Sequence, residues 1–325
     1  MNGSGEKVTI LVPGKLHARA VERIGEHFLP VEVERADPAL LSRAMKNSVK
    51  GVASATVVDA AFIDALPNLE IIANFGVGYD GVDAAHAGEK GVMVTNTPDV
   101  LTEEVADTAL GLLINAAREL PQAERYLREG RWMAEGPYPL TRGTLRGRKV
   151  GIFGMGRIGR AIAQRVEAFG LSVSYHNRRQ LEDVDYEYHA TLMSLAEAVD
   201  TLISVVPGGA GTEKAVNARV LSALGPNGIF VNIGRGSTVD EAALVAALRD
   251  GTILGAGLDV FADEPNVPAE LLACENAVLL PHVGSASRYT RQAMADLVVD
   301  NLINWFEKGE ALTPVPETVG AVPKR

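Results

Sequence analysis

Gly154-Met155-Gly156-Arg157-Ile158-Gly159 follows the apolar run KVGIF and opens an amphipathic stretch, a placement that constrains the fold more than any other feature of the chain. A Gly-x-Gly-x-x-Gly turn between a strand and a helix is the fingerprint of a dinucleotide-binding βαβ unit. The first glycine permits the tight turn, the second lets the backbone approach a pyrophosphate, and the third lets helix and strand pack closely. The helix amino end then offers free N–H groups and a partial positive charge to phosphate oxygens. With 33 glycines in the chain, the hexapeptide alone is weak evidence. Its position after a strand and before a helix carries the reading.

The same alternation of short β-branched runs with longer amphipathic ones extends along the chain and describes βαβ units building parallel sheets. It occurs twice. The first series has strands near Val8–Val12, Val49–Ser54, Leu69–Asn74 and Val92–Thr95, with helices over Leu16–Phe28 and Asp59–Leu66. The second begins at Lys149 and supplies six strands: KVGIFG, LSVSYH, TLISVV, GIFVNIG, ILGAGLDVF and AVLLPH. Runs this apolar are expected where helices cover both sheet faces. Between the series, Thr102–Leu120 and Pro121–Gly130 read as long helices forming a hinge and interface, with Pro121 marking the break. Ser287–Lys308 has helical spacing of Met294, Leu297, Val298, Leu302, Trp305 and Phe306, and it ends at Gly309. A length of 325 residues suits two domains, and the expected class is α/β with two doubly wound parallel sheets.

Composition removes several function classes. With 31 Lys+Arg against 41 Asp+Glu, the net charge is −10 and no basic cluster is present, which argues against a nucleic-acid or membrane-surface binder. A hydrophobic share of 47% against 22% charged is that of a compact globular protein. The single cysteine, Cys274, excludes an intrachain disulfide and a cysteine-based metal site and suits a reducing, cytoplasmic compartment. No apolar run approaches the roughly 20 residues that span a bilayer. Asn2-Gly3-Ser4-Gly5 is set aside from fold reasoning.

Dinucleotide sites that prefer NAD usually place Asp or Glu about 20 residues past the glycines, to hold the ribose 2′-hydroxyl. Here LSVSYH runs into Asn177-Arg178-Arg179, with no carboxylate. Two guanidiniums and an amide suit a 2′-phosphate, so NADP(H) is the expected cofactor. If the arginines are only a solvated pair, NAD(H) takes its place. None of the six histidines pairs at metal-ligand spacing, and no metal site is expected. His17, His27, His86 and His189 read as solvated or structural, and His176 ends the second strand of the fingerprint domain. His282 ends the last apolar strand, Glu264 follows LDVFAD, and Arg235 follows GIFVNIG. Each lies past the carboxyl end of a different strand of one sheet, where such folds bind ligands. Together they suit one reaction: Arg235 binds a carboxylate, His282 moves a proton, and Glu264 orients and charges the imidazole.

These stretches, GMGRIG, NIGRGSTVDEAAL, GLDVFADEP and LLPHVGSAS, resemble in order the D-isomer-specific 2-hydroxyacid dehydrogenases. In the first domain, NFGVGYD and VMVTNTPDVLTEEVADTALGLL resemble that family's substrate loop and inter-domain helix. Within the family, NTPDVLTEEVAD and the NRR segment are most similar to NADPH-dependent glyoxylate/hydroxypyruvate reductases and hydroxyphenylpyruvate reductases. The resemblance implies a Rossmann coenzyme domain, residues 99–285, inserted in a flavodoxin-like substrate domain, residues 1–98 and 286–325. It implies that Arg235, Glu264 and His282 are catalytic, and that Val77 and Gly78 N–H groups hold the substrate carboxylate, with Leu101 and Trp132 beside the substrate. The cofactor would meet Gly154, Gly156, Arg157, Ile158 and Gly159 at its pyrophosphate and Asn177, Arg178 and Arg179 at its adenosine end. Val206, Pro207, Thr212, Ile233, Asp259, Gly284 and Thr108 would line the rest of its groove.

The implied activity is reduction of small 2-oxo acids to D-2-hydroxy acids by a homodimer, with domain closure excluding water. Trp132 resembles an aromatic that such reductases insert into the neighbouring subunit's site, and it reads equally as an interface anchor. Glu264 departs from formate-oxidising relatives, which have an amide there, and Val77 departs from phosphite-oxidising ones, which have a lysine nearby. Two rivals stay open: a reductase of bulkier 2-oxo acids such as hydroxyphenylpyruvate, and a binding module like the family's dinucleotide-sensing corepressors.

Overall fold

The computed structural model describes residues 7–324; the Asn2-Gly3-Ser4-Gly5 segment lies outside them. The chain divides into two compact units, one running through Leu101 and resuming at Ser287, the other Thr102–Ala286.

The first unit carries β1 (Thr9–Pro13), β2 (Leu29–Val33), β3 (Val49–Ser54), β4 (Ile71–Asn74) and β5 (Met93–Thr95) in the order β2-β1-β3-β4-β5, every pair parallel. Side chains alternate between two buried faces, as a pleat with period two requires. Ile10, Val12, Ala53 and Ile71 face one core with Trp305, while Leu11, Val52, Ile72 and Val94 face another with Phe62. The helix Arg288–Lys308 covers the first face with Ala295, Val298, Leu302 and Trp305. Ser287 Oγ accepts the Thr290 N–H at its start, and Gly309 closes its end at φ 78°, a conformation that costs glycine little. Glycine at position 51 fits because a Cβ there would lie 2.7 Å from Ile10 Cδ1.

The second unit carries β6 (Lys149–Phe153), β7 (Ser172–His176), β8 (Glu187–Tyr188), β9 (Thr201–Ser204), β10 (Ile229–Asn232), β11 (Gly255–Leu258) and β12 (Ala277–Leu279). Their order is β12-β11-β10-β9-β6-β7-β8, again all parallel. Connections leave β6 in one direction to β7 and return on its other side to β9, so the loops after β6 and β9 part at a switch point. Small residues in β11 let the helix Thr102–Arg118 lie close: a Cβ on Gly257 would stand 2.8 Å from Leu112 Cβ.

Two strands escape sequence reading for one reason. β2 is a half-exposed edge with Pro30 and Glu32, and β8 is a two-residue edge, so neither has the apolar signature of a covered strand. A correction concerns Pro121. The helix break falls at Glu119, φ 51°, while Pro121 sits in the first turn of Leu120–Arg128, where its missing N–H has no partner to lose.

At the amino ends of the second sheet, the nearly buried Arg148 guanidinium donates to the carbonyl oxygens of Thr144, Asp200 and Asn227, to Thr201 Oγ1 and to the Asp200 carboxylate. It ties β6, β9 and β10 together at the end opposite the ligand-binding edge. Arg148→Ala should cost about 3 kcal/mol, because several buried acceptors lose a charged donor together. Urea unfolding measures this, and a change under about 0.5 kcal/mol would contradict the role.

Candidate functional site

The fingerprint turn joins β6 to the helix Arg157–Ala168. Gly154 adopts φ 107°, which strains any residue with a Cβ, and a Cβ there would also lie 2.9 Å from Val206 Cγ1. A Cβ on Gly159 would collide with the Gly154 carbonyl oxygen. Gly156 is different, since nothing lies within 4 Å of its Cβ position. It is also the helix N-cap and provides no side-chain cap, which leaves the first-turn N–H groups available to an anion. Open space beside these donors, framed by two sterically required glycines, is the shape a pyrophosphate fits.

Asn177 Oδ1 accepts the Met155 N–H at 2.7 Å and so pins the fingerprint turn to the end of β7. Its side-chain oxygen therefore serves the turn itself, a role its spacing alone does not reveal. Arg178 and Arg179 follow, exposed and without a carboxylate partner among the described residues. His176 stacks on Phe153 and its Nδ1 lies 2.7 Å from the His189 carbonyl oxygen, a structural position. The remaining groove residues follow strand ends of the same sheet. Val206 and Pro207 come after β9, where Thr212 Oγ1 donates to the Pro207 carbonyl, and Ile233 comes after β10. Thr108 Oγ1 donates to the Gly284 carbonyl.

Two of the titratable residues meet past the ends of β11 and β12. His282 Nδ1 lies 2.7 Å from Glu264 Oε2. A carboxylate only accepts, so Nδ1 carries the hydrogen and Nε2 is left for other chemistry. Glu264 is held in turn by the Phe261 N–H on Oε1 at 3.0 Å. The ring is 47% exposed, so an incoming molecule can reach it. Arg235 stands in the turn after β10, where Asn232 Nδ2 and Thr238 Oγ1 both donate to its carbonyl oxygen.

His282 occupies φ 52°, a left-handed conformation unusual for this residue, and the buried Asp259 holds it there. The Asp259 carboxylate accepts the Val283 and Gly284 N–H groups, both at 2.7 Å, and its backbone carbonyl accepts the His282 N–H at 2.9 Å. Burial pushes the Asp259 carboxyl above its usual range, while those two N–H donors pull the other way. A Cβ at Gly284 would lie 2.8 Å from Asp259 Oδ2, so the loop closes this tightly only on glycine. Asp259, read from the sequence as a cofactor contact, acts here as the anchor of the histidine loop. Its signal was weak because one Asp after a strand looks like any turn residue.

An apolar cavity of about 240 Å³ flanks the pair, walled by Phe261, Val267, Leu272, Leu279 and Pro281. A larger one, about 320 Å³, lies by Tyr126, Tyr138 and Glu275 and includes none of these residues. Val77 and Gly78 belong to the first unit, in the turn after β4; Leu101 is buried in that unit at 3% exposure, and Trp132 in the second unit is 62% exposed.

The sequence matches, over residues 110–284, the family described as D-isomer specific 2-hydroxyacid dehydrogenase, NAD binding domain. The chain belongs to that family. It is 47% identical over 281 residues to a glyoxylate/hydroxypyruvate reductase of Arabidopsis thaliana, covering 86% of this chain and 89% of the relative. It is 49% identical over 257 residues to a hydroxyphenylpyruvate reductase of Plectranthus scutellarioides, covering 79% and 82%. The crystal structure of an NADPH-dependent glyoxylate/hydroxypyruvate reductase from Sinorhizobium meliloti, in complex with NADP and malonate, is similar at 61% identity and a TM-score of 0.95, covering 98% of this chain and 99% of that one. This α/β dehydrogenase has the family's Rossmann and substrate-domain folds.

The glycine geometry separates binding from folding. Gly156→Ala should leave the thermal midpoint within about 2 °C, because its Cβ enters open space, yet weaken NADPH binding about tenfold or more. Gly159→Ala should lose both binding and stability. Fluorescence titration beside a melting curve reads each, and unchanged binding in Gly156→Ala would contradict the assignment.

Proposed function

We propose that this dehydrogenase is an NADPH-dependent reductase of small 2-oxo acids, with glyoxylate and hydroxypyruvate as substrates and D-2-hydroxy acids as products. The observation that carries the reading is the 2.7 Å bond between His282 Nδ1 and Glu264, which aims proton chemistry through Nε2 at the edge of a dinucleotide-binding sheet. Reduction of a carbonyl needs such a donor, since the oxygen must gain a proton as the carbon is reduced. The names of the plant and Sinorhizobium meliloti relatives support the same substrates.

The residues present fit NADPH. Gly154, Gly156, Arg157, Ile158 and Gly159 would hold the pyrophosphate, and Asn177, Arg178 and Arg179 the 2′-phosphate. Val206, Pro207, Thr212, Ile233, Asp259, Gly284 and Thr108 would line its groove. When bound, the reduced nicotinamide supplies the hydride that the carbonyl carbon takes up. Arg235 pairs its guanidinium with the substrate carboxylate, a planar two-point contact that also orients the carbonyl. His282 Nε2 donates its proton to the carbonyl oxygen, and Glu264 fixes the ring through Nδ1 so that Nε2 faces the reacting oxygen. The Val77 and Gly78 N–H groups are further carboxylate donors, and Leu101 and Trp132 shape the side-chain end.

The chain is also read as a homodimer, because Leu127, Trp132, Met133 and Leu140 leave apolar surface exposed that a second copy would cover. A cytoplasmic location is read from the lone, buried Cys274. Among the described residues, no helix is long and apolar enough to cross a membrane.

A second reading, a reductase of bulkier 2-oxo acids, is favoured by one observation, the apolar cavity beside His282. The relative named as a hydroxyphenylpyruvate reductase supports it too.

Oxidation of NADPH and NADH with glyoxylate, hydroxypyruvate and phenylpyruvate tests both readings. Fast NADPH-linked turnover of the two small acids is expected, and Arg178→Ala with Arg179→Ala should cost at least tenfold in kcat/KM for NADPH while sparing NADH. His282→Ala should bind NADPH normally and lose turnover. A preference for phenylpyruvate supports the second reading, equal use of NADH removes the 2′-phosphate site, and turnover retained in His282→Ala overturns the proton-donor role.

A further inference from the structure

The turn after β4 is braced in a way the proposed reaction does not by itself require. Asn74 Nδ2 donates to the Gly76 carbonyl at 3.1 Å and to the Gly78 carbonyl at 3.0 Å. The Thr97 N–H donates to the Gly76 carbonyl as well, at 2.9 Å. Asn96 Nδ2 donates to the Val77 carbonyl at 2.8 Å. Three successive carbonyls, those of Gly76, Val77 and Gly78, are therefore all drawn by side-chain amides.

A trans peptide is planar, and its C=O and N–H point in opposite directions. The Gly76 carbonyl shares a plane with the Val77 N–H, and the Val77 carbonyl shares one with the Gly78 N–H. Holding each carbonyl therefore fixes the direction of the N–H group that shares its plane. A Cβ on Gly76 would lie 3.2 Å from the Gly78 carbonyl oxygen, so the turn has little slack.

Asn96 is itself held by the chain's last segment. Thr313 Oγ1 donates to the Asn96 carbonyl at 2.6 Å, and the Asn96 N–H donates to the Thr313 carbonyl at 3.3 Å. The buried Asn301 accepts the Leu312 and Thr313 N–H groups on Oδ1 and donates from Nδ2 to Thr313 Oγ1. Four residues further on, Glu317 accepts the Tyr79 hydroxyl at 3.1 Å, which ties down the far end of the same turn. Burial, and then this carboxylate, raise the Tyr79 phenol above its ordinary value, so it stays a donor.

We propose that Asn74 and Asn96 are positioning residues for the 2-oxo acid substrate: with Thr313 behind Asn96, they pre-aim the Val77 and Gly78 N–H groups at its carboxylate. This rests on the proposed function and adds to it which side chains set the affinity for the carboxylate. Preorganised donors pay no reorganisation cost when the anion arrives, so slackening them weakens substrate binding without touching proton transfer at His282.

Asn96→Ala and Thr313→Val should each raise KM for glyoxylate and for hydroxypyruvate about fivefold to tenfold, the loss expected for one hydrogen bond. The same factor should hold for both, since both present the carboxylate. In each variant kcat and the NADPH dissociation constant should stay within about twofold. Thr313→Ser, which keeps the hydroxyl, should restore the wild-type KM. A merely structural role would lower the active fraction, reducing kcat at unchanged KM and leaving Thr313→Val and Thr313→Ser alike in the split. Normal KM in Asn96→Ala and Thr313→Val, with an active wild type, overturns this inference alone; a wild type inert towards both acids overturns the proposed function and this inference with it.

Discussion

In both sheets every strand pair is parallel, and that constraint decides where this protein can do chemistry. Parallel strands with helical returns put all carboxyl ends on one edge, so residues far apart in sequence gather there without any special pairing. Arg235, Glu264 and His282 follow β10, β11 and β12, three adjacent strands, and the fingerprint glycines follow β6. The opposite edge is left to stability, where Arg148 binds the amino ends.

Placement alone does not aim a side chain. His282 sits in an unfavourable backbone conformation that its neighbours over-determine: the loop hangs by two amides from the buried Asp259 carboxylate, and Glu264 holds the ring. Strain of this kind costs on the order of 1–3 kcal/mol and persists only where surrounding contacts enforce it. The same logic operates in the first unit, where asparagine amides draw in three carbonyls of one turn. In both places a side chain that never meets substrate in the proposed reaction sets the direction of a group that does, an imidazole in one unit and backbone N–H groups in the other.

The sequence exposes some of this better than the rest. Covered strands, the glycine fingerprint and the helix Arg288–Lys308 are legible because burial on both faces, a backbone requirement and a helical period each leave a local mark. The edge strands β2 and β8 leave none, since exposure on one side removes the apolar run. His282, Glu264 and Arg235 are legible as strand-end residues, whereas their distances are not. Asp259, Asn96 and Thr313 carry their roles through hydrogen bonds to backbone groups, 217 positions apart in the Thr313 to Asn96 case, and no spacing rule announces such a pair. Pro121 opens the second helix as its sequence suggests, but the break it marks falls two residues earlier, at Glu119, because proline fits the first turn rather than the kink itself.

The central claim is that His282 and Glu264 act as one acid–base unit. The most direct test is a double-mutant cycle with Glu264→Gln, His282→Ala and the combined variant, measuring kcat for glyoxylate at saturating NADPH. Groups that act as a unit are not additive, so the combined variant should be no slower than His282→Ala alone. Losses that multiply would mean that the carboxylate works independently of the imidazole, and would contradict the account.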